Sequence, residues 1–229
     1  MPRFFAQITS DNRAVITGRD VRHIMGPLRK KIGEELLIRD QETGYTGRIV
    51  SMNAREISLE ILLSRELSER GSRLVHLGMS LIDLKDMDDL IREVTELGVA
   101  ELHPVIARRS NVRDIGEKRL QRWRQIVSEA MKQCERKSTP IIREVLSLDD
   151  FLAKTAPSWP CRLAASLESE VSIQDCKAVE TGILIGPEGG FAPEETEKIS
   201  ASGFTPVHMG KTVLRAYTAA VTAVGVLAM

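Results

Sequence analysis

The chain has 229 residues, 42% of them hydrophobic and 28% charged, with 32 basic and 32 acidic side chains. That composition belongs to a folded globular protein and excludes disordered, collagen-like and disulfide-dense classes. No apolar run approaches the roughly 18 to 20 residues of a membrane span, and the start MPRFFAQITSDNR lacks an apolar signal core, so a cytoplasmic protein without a membrane partner is expected.

The first sixty residues read as short strands broken by turn residues: FFAQI, RAVI, ELLIRD, TGRIVSMN and EISLEILLS. Such spacing predicts a small antiparallel barrel. A basic stretch, HIMGPLRKK at residues 23–31, interrupts it, and reads equally well as a solvated turn or as an RNA contact. Residues 63–73, LSRELSERGSR, are polar, and the pattern changes after them, which sets a boundary near Gly71 between a unit 1–71 and a unit 72–229.

Beyond that boundary LVHLGMSLI reads as a buried strand. DMDDLIREVTELGV reads as a helix whose Met87, Leu90, Ile91, Val94 and Leu97 recur at three and four residues, ended by Gly98. Strand ELHPVIA, helix KRLQRWRQIVSEAMKQC, strand IIREV, helix SLDDFLAKT, strands CRLAASL and TGILIG, helix PEETEKISASG, strand PVHM and a last helix from about Val213 follow. Such alternation predicts a parallel sheet covered on both faces, an α/β fold.

Charge is unevenly spread. Residues 103–143 hold 11 basic against four acidic side chains, while 144–229 hold six against 11. A local basic surface binds phosphate even on a neutral protein, because screening acts over about 8 Å. The amphipathic helix around Trp123 presents Lys118, Arg119, Arg122 and Arg124 as RNA candidates, with Trp123 itself in the core.

The strongest local signal is GILIGPEGGFAPEE, residues 182–195. An apolar strand runs into Gly186-Pro187-Glu188-Gly189-Gly190, and Pro193 with Glu194 and Glu195 then opens a helix. Paired glycines at the carboxyl end of a parallel strand allow close backbone approach to a ligand. Neither GxxxxGK[ST] nor GxGxxG is present, which disfavours phosphate-loop and dinucleotide roles.

The second signal is MGKTVLRAYTAAVTAVGVLAM, residues 209–229. A turn at Gly210 leads into a small-residue helix suited to close packing in a core or a dimer interface. Arg215 sits at its start, where the helix dipole disfavours a cation unless an anion accompanies it. Cys134, Cys161 and Cys176 have no CxxC spacing, and His23, His76, His103 and His208 no ligand spacing or HExxH, so no metal is expected.

IGPEGGF followed by a glycine turn and LRxxTA resembles the knotted SPOUT methyltransferases, and within them the bacterial family that methylates N3 of a uridine in 16S ribosomal RNA. RFF at 3–5, His23 with PLRKKIG, TELGV at 95–99, ARRS at 107–110 and EAMKQCERKSTP extend the likeness over nearly the whole chain. The resemblance implies a PUA-like RNA-binding β-barrel, then a SPOUT α/β domain with a C-terminal trefoil knot. It further implies a homodimer acting on 16S rRNA within the assembled small ribosomal subunit, with S-adenosylmethionine as methyl donor and no metal.

By the same resemblance three loops hold the donor: Ala165–Glu168 with Ser166 and Leu167, Ile185–Phe191 with Gly186, Pro187, Glu188, Gly189 and Gly190, and Met209–Arg215 with Gly210, Val213 and Leu214. Arg109 is expected to reach the other subunit's donor site, and Arg215 is the second catalytic candidate. Arg3, His23, Arg29, Lys30, Lys31, Arg108 and Arg109 join the helix residues as RNA candidates. No residue stands out as the general base.

This chain departs from the family's pattern twice. Ala216-Tyr217 stand where the family usually has Thr-Glu in LRTETA, and Glu93 where it usually has Lys before TELGV. Altered substrate contacts, reduced activity and harmless compensation are all open consequences of either change. The alternatives to the leading reading are a SPOUT enzyme with another RNA target and a catalytically silent RNA-binding or ribosome-assembly protein.

Overall fold

The computed structural model describes residues 3–9, 11–40, 43–66, 73–134, 136 and 138–229; the expected boundary at Gly71 lies outside them. The chain divides into two compact units, Met1–Glu69 with Met131–Ser138, and Arg70–Ala130 with Thr139–Met229.

In the first unit six strands, β1 (Phe4–Phe5), β2 (Gln7–Thr9), β3 (Arg13–Thr17), β4 (Glu35–Arg39), β5 (Thr43–Met52) and β6 (Glu56–Glu66), form one sheet in the order β1-β4-β5-β6-β3-β2. Its two edge strands, β1 and β2, are separated in the chain only by Ala6, so the sheet must curl until its edges approach, giving a barrel-like form. Alternating Ala14 and Ile16, Leu36 and Ile38, and Ile57 and Leu59 point inward and are buried.

Two features differ from the sequence reading. The pairing of β1 with β4 is parallel, so the barrel is not purely antiparallel. The basic stretch begins within a helix, α1 (Arg19–Met25), that buries Val21 and Ile24, three apart, on the sheet. Two apolar positions in seven residues are too weak a period to announce a helix.

The second unit is built on a sheet in the order β10-β8-β7-β12-β11-β13, with β9 beside β8 and every pair parallel. Its strands are β7 (Leu74–Ser80), β8 (Val99–Ile106), β9 (Ile141–Ile142), β10 (Leu146–Ser147), β11 (Arg162–Ala165), β12 (Glu180–Ile185) and β13 (Thr205–Val207). The helices are α2 (Leu84–Leu97), α3 (Glu117–Met131), α4 (Leu148–Lys154), α5 (Pro193–Ala201) and α6 (Ala216–Ala228).

Strand alternation divides the cover. Leu184 of β12 packs with Phe151 and Leu152 of α4 and Ile199 of α5. Its neighbours Ile183 and Ile185, fully buried, face the other side, where α6 packs on β7, β12 and α2.

Helix ends follow local chemistry. The Asp83 carboxylate accepts the Lys85 N–H at 2.8 Å to cap α2, which stops at Gly98 with φ 116°. The last helix begins at Ala216 rather than Val213; Arg215 is its extended N-cap. Among the described residues no helix is long and apolar enough to cross a membrane.

Candidate active site

Parallel strands end on the same edge of a sheet. Because β12, β11 and β13 are neighbours, the loops that leave their carboxyl ends, Ala165–Glu168, Ile185–Phe191 and Met209–Arg215, emerge side by side. The connections from β7 and β12 depart in opposite directions, toward β8 and toward β13, which makes this edge a topological switch point where ligands bind.

The Gly186–Phe191 loop is a tight turn, with the Gly190 N–H donating to the Pro187 carbonyl at 2.8 Å and Gly190 at φ 68°. The Phe191 ring folds back over Gly186, so closely that a Cβ there would stand 3.1 Å from it. On the loop's other side the Arg109 guanidinium donates to the carbonyls of Gly189 at 2.8 Å and Phe191 at 3.4 Å. Glu195, in the first turn of α5, accepts the N–H of Ala192 at 2.9 Å and of Arg108 at 2.7 Å. One carboxylate thus joins the loop after β8 to the helix after β12. Arg108 adds an exposed ion pair to Glu194 at 3.2 Å and lowers that carboxyl's pKa, after the larger effect of a backbone hydrogen bond.

The other two loops are tied to each other. The Ser166 N–H donates to the Val207 carbonyl at 2.9 Å, and His208 exchanges backbone bonds with Val171 and Ile173. The His208 imidazole then accepts the Gly210 N–H at 3.2 Å, setting a turn with φ 130° at Gly210. Leu167 and Val213 lie on these loops 71% and 78% exposed. Met209 and Leu214 are half-buried; Glu188 is exposed. Arg215 is exposed on the same edge and, among the described residues, has no ion pair.

The candidate RNA residues fall into two sets. In the first unit His23, Arg29, Lys30 and Lys31 share α1 and the loop after it, where Arg29 takes a left-handed φ of 49° and Lys30 pairs with Glu34 at 3.4 Å. The Arg3 N–H bonds to the Lys132 carbonyl at 2.9 Å.

On α3 the basic residues are less free than expected. Arg122 and Arg119 both reach Asp88, at 2.7 and 3.3 Å, and Arg124 pairs with Glu117 and Glu144. Asp88 also accepts the Trp123 indole N–H at 2.9 Å, so this helix face is partly a scaffold. Lys118 remains exposed. Trp123 and Trp159 are both core residues, at 0% and 2% exposure.

Sequence reasoning read Glu195 only as a helix opener and passed over Asp88. An acidic residue at the third position of a helix carries a capping signal for Glu195. For Asp88, only the fold brings α2 beside α3.

Comparison with known proteins agrees with this architecture. A family model described as RNA methyltransferase domain matches residues 69–228. Ribosomal RNA small subunit methyltransferase E of Aquifex aeolicus is 28% identical over 227 residues, covering 98% of this chain and 97% of that one. The same-named protein of Neisseria gonorrhoeae, solved bound to S-adenosyl methionine, superposes with a TM-score of 0.85 at 28% identity over 98% of this chain and 95% of that one. A protein of Legionella pneumophila, described as a methyltransferase and solved with the cofactor SAM, gives a TM-score of 0.89 at 27% identity over 99% and 96%. On this fold, and with the family model spanning most of its length, the chain belongs to the RNA methyltransferase domain family.

Proposed function

We propose that this protein transfers the methyl group of S-adenosylmethionine to small-subunit ribosomal RNA, at N3 of one uridine in 16S rRNA, as a cytoplasmic homodimer acting on the assembled subunit. The observation that carries the reading is the convergence of the three loops at one sheet edge, with tight turns at positive φ at Gly190 and Gly210 and with Leu167 and Val213 exposed beside them. Those residues fit a donor held largely by backbone polar groups and enclosed by apolar side chains. When bound, the donor supplies an electrophilic methyl group on a sulfonium.

The protein's own part is positioning and electrostatics. N3 lies on the pairing edge of uracil, so the base must be unpaired or extruded to reach the site. It must also lose its N3 proton, and the resulting imide anion needs a cation nearby. Arg215, exposed at an N-cap beside the donor loops, is suited to that charge because a guanidinium is permanently ionised and an anion there offsets its clash with the helix dipole. Arg109 we assign to holding the Gly189–Phe191 loop, with Arg108 beside it. The barrel-like unit, with His23 and Arg29 to Lys31, and the exposed part of α3 are the proposed RNA surfaces. We include in this reading the PUA-like character of the barrel and a trefoil knot formed where the segment after β13 passes the 166–175 loop.

Calorimetric titration of the protein with S-adenosylmethionine tests the enzyme reading against a silent RNA-binding one. One site per chain is expected, and absence of binding by the folded protein overturns the proposal.

A further inference from the structure

At the opposite edge of the parallel sheet, near the amino ends of β7, β8 and β12, three ligand-type side chains meet. His76 on β7 is in direct register with Glu101 on β8, and His103 follows two residues later on the same face. Their ligand atoms all lie within 4.8 Å of one another. His76 Nδ1 is 3.7 Å and His103 Nε2 2.9 Å from Glu101 Oε2. In a tetrahedral zinc site with bonds of about 2.0–2.1 Å, ligand atoms stand roughly 3.3 Å apart, so small shifts bring all three onto one ion.

Two further observations point to a ligand. His76 Nδ1 is buried and accepts no hydrogen bond, an uncommon state for a ring nitrogen. Its other nitrogen, Nε2, lies 3.0 Å from the Glu180 carboxylate on β12. That contact fixes the proton on Nε2 and aims the Nδ1 lone pair at Glu101 and His103, the carboxylate–histidine arrangement that orients metal ligands. Glu101 in turn accepts from the Arg143 guanidinium, at 2.6 Å through Oε1 and at 3.3 Å through Oε2, the oxygen that also meets the histidines. Trp159 stacks on His76 and meets His103 edge-on, at centroid distances of 5.9 and 5.5 Å, and with Phe151 walls off one side.

We propose that His76 Nδ1, Glu101 Oε2 and His103 Nε2 form a structural site for a divalent transition-metal ion of the zinc class, with water as fourth ligand. His103 binds as the tautomer protonated at Nδ1, giving up the Nε2 proton that it shares with Glu101 in the metal-free chain. Lying across the sheet from the donor loops, the ion ties β7 to β8 and takes no part in methyl transfer.

The test is titration of the purified full chain with zinc chloride after chelator treatment, paired with the visible spectrum of the cobalt(II) form. One ion per chain, a tetrahedral cobalt band and a zinc-dependent rise in unfolding midpoint are expected. His76→Gln and His103→Gln should remove all three, Glu180→Gln should weaken binding by about 10- to 100-fold, and His23→Gln and Cys161→Ser should leave it unchanged. Circular dichroism of each metal-free variant separates loss of the site from loss of the fold. No binding by wild-type protein, or binding kept in folded His76→Gln or lost in Cys161→Ser, overturns the proposal.

Discussion

The Tyr217 hydroxyl, in the first turn of α6, hydrogen-bonds to the Glu93 carboxylate of α2. These are the two positions at which the chain departs from the pattern of the family it resembles, where Glu and Lys are usual. Read along the sequence they are two unrelated changes 124 residues apart; in the fold they are one contact, a hydrogen bond from a phenol to a carboxylate. The two changes therefore meet in one contact of the fold.

A double-mutant cycle measures that contact. Tyr217→Glu alone places a carboxylate against Glu93, with Asp86 and Asp89 also near, and should destabilise the protein. Adding Glu93→Lys should recover the loss, with a coupling of about 0.5–3 kcal/mol in chemical denaturation. Additive effects would show that the two side chains do not act as a pair.

The same contact has a pH signature. Burial first, then the Glu93 hydrogen bond and the charges of Glu93, Asp89 and Asp86, hold the Tyr217 proton well above the usual phenol range. Unfolded tyrosine ionises near pH 10 while the folded residue keeps its proton, so from about that pH upward the unfolded state binds fewer protons and stability falls. Tyr217→Phe should flatten this alkaline decline in unfolding midpoint measured against pH.

Arg109→Ala separates two roles for one side chain. Loss of its bonds to Gly189 and Phe191 should weaken donor binding about tenfold, the worth of a charge-assisted hydrogen bond, and lower methyl transfer in parallel. Transfer lost with donor affinity intact would assign Arg109 instead to the RNA side, as the sequence resemblance implies.

Gly182 is required by packing rather than by conformation. A Cβ on it would lie 1.7 Å from Trp159 Cε3 in the middle of the sheet. Gly182→Ala should cost at least about 1–3 kcal/mol in denaturant unfolding, the range for overpacked cores. A variant as stable as wild type would mean that Trp159 has room to move.

Much of this fold was legible locally. Most strand and helix periods in the second unit, the Gly98 stop and the GPEGG turn are set by neighbours in sequence and stand near where the pattern put them; IIREV, which yields only the short β9 with β10 just beyond it, and the later start of α6 are the exceptions. The three candidate loops could be named, but their convergence could not be derived from pattern, because it depends on β12 entering between β7 and β11. The parallel β1–β4 pair and the seven-residue α1 were hidden for the same reason: long-range pairing and tertiary burial decide them. The ion pairs on the basic face of α3 were not legible, since Asp88 comes from α2, 31 to 35 residues before its partners Arg119, Arg122 and Trp123, and only the fold brings it alongside. The meeting of His76, Glu101 and His103 is not legible from spacing either, because strand register places them on one face.

The most direct test of the central claim is tritium transfer from labelled S-adenosylmethionine to small ribosomal subunits from a strain lacking the endogenous modification, with nucleoside analysis of the RNA. Label in N3-methyluridine is the result that this account predicts. Label in another nucleoside, or none with donor binding intact, would contradict it.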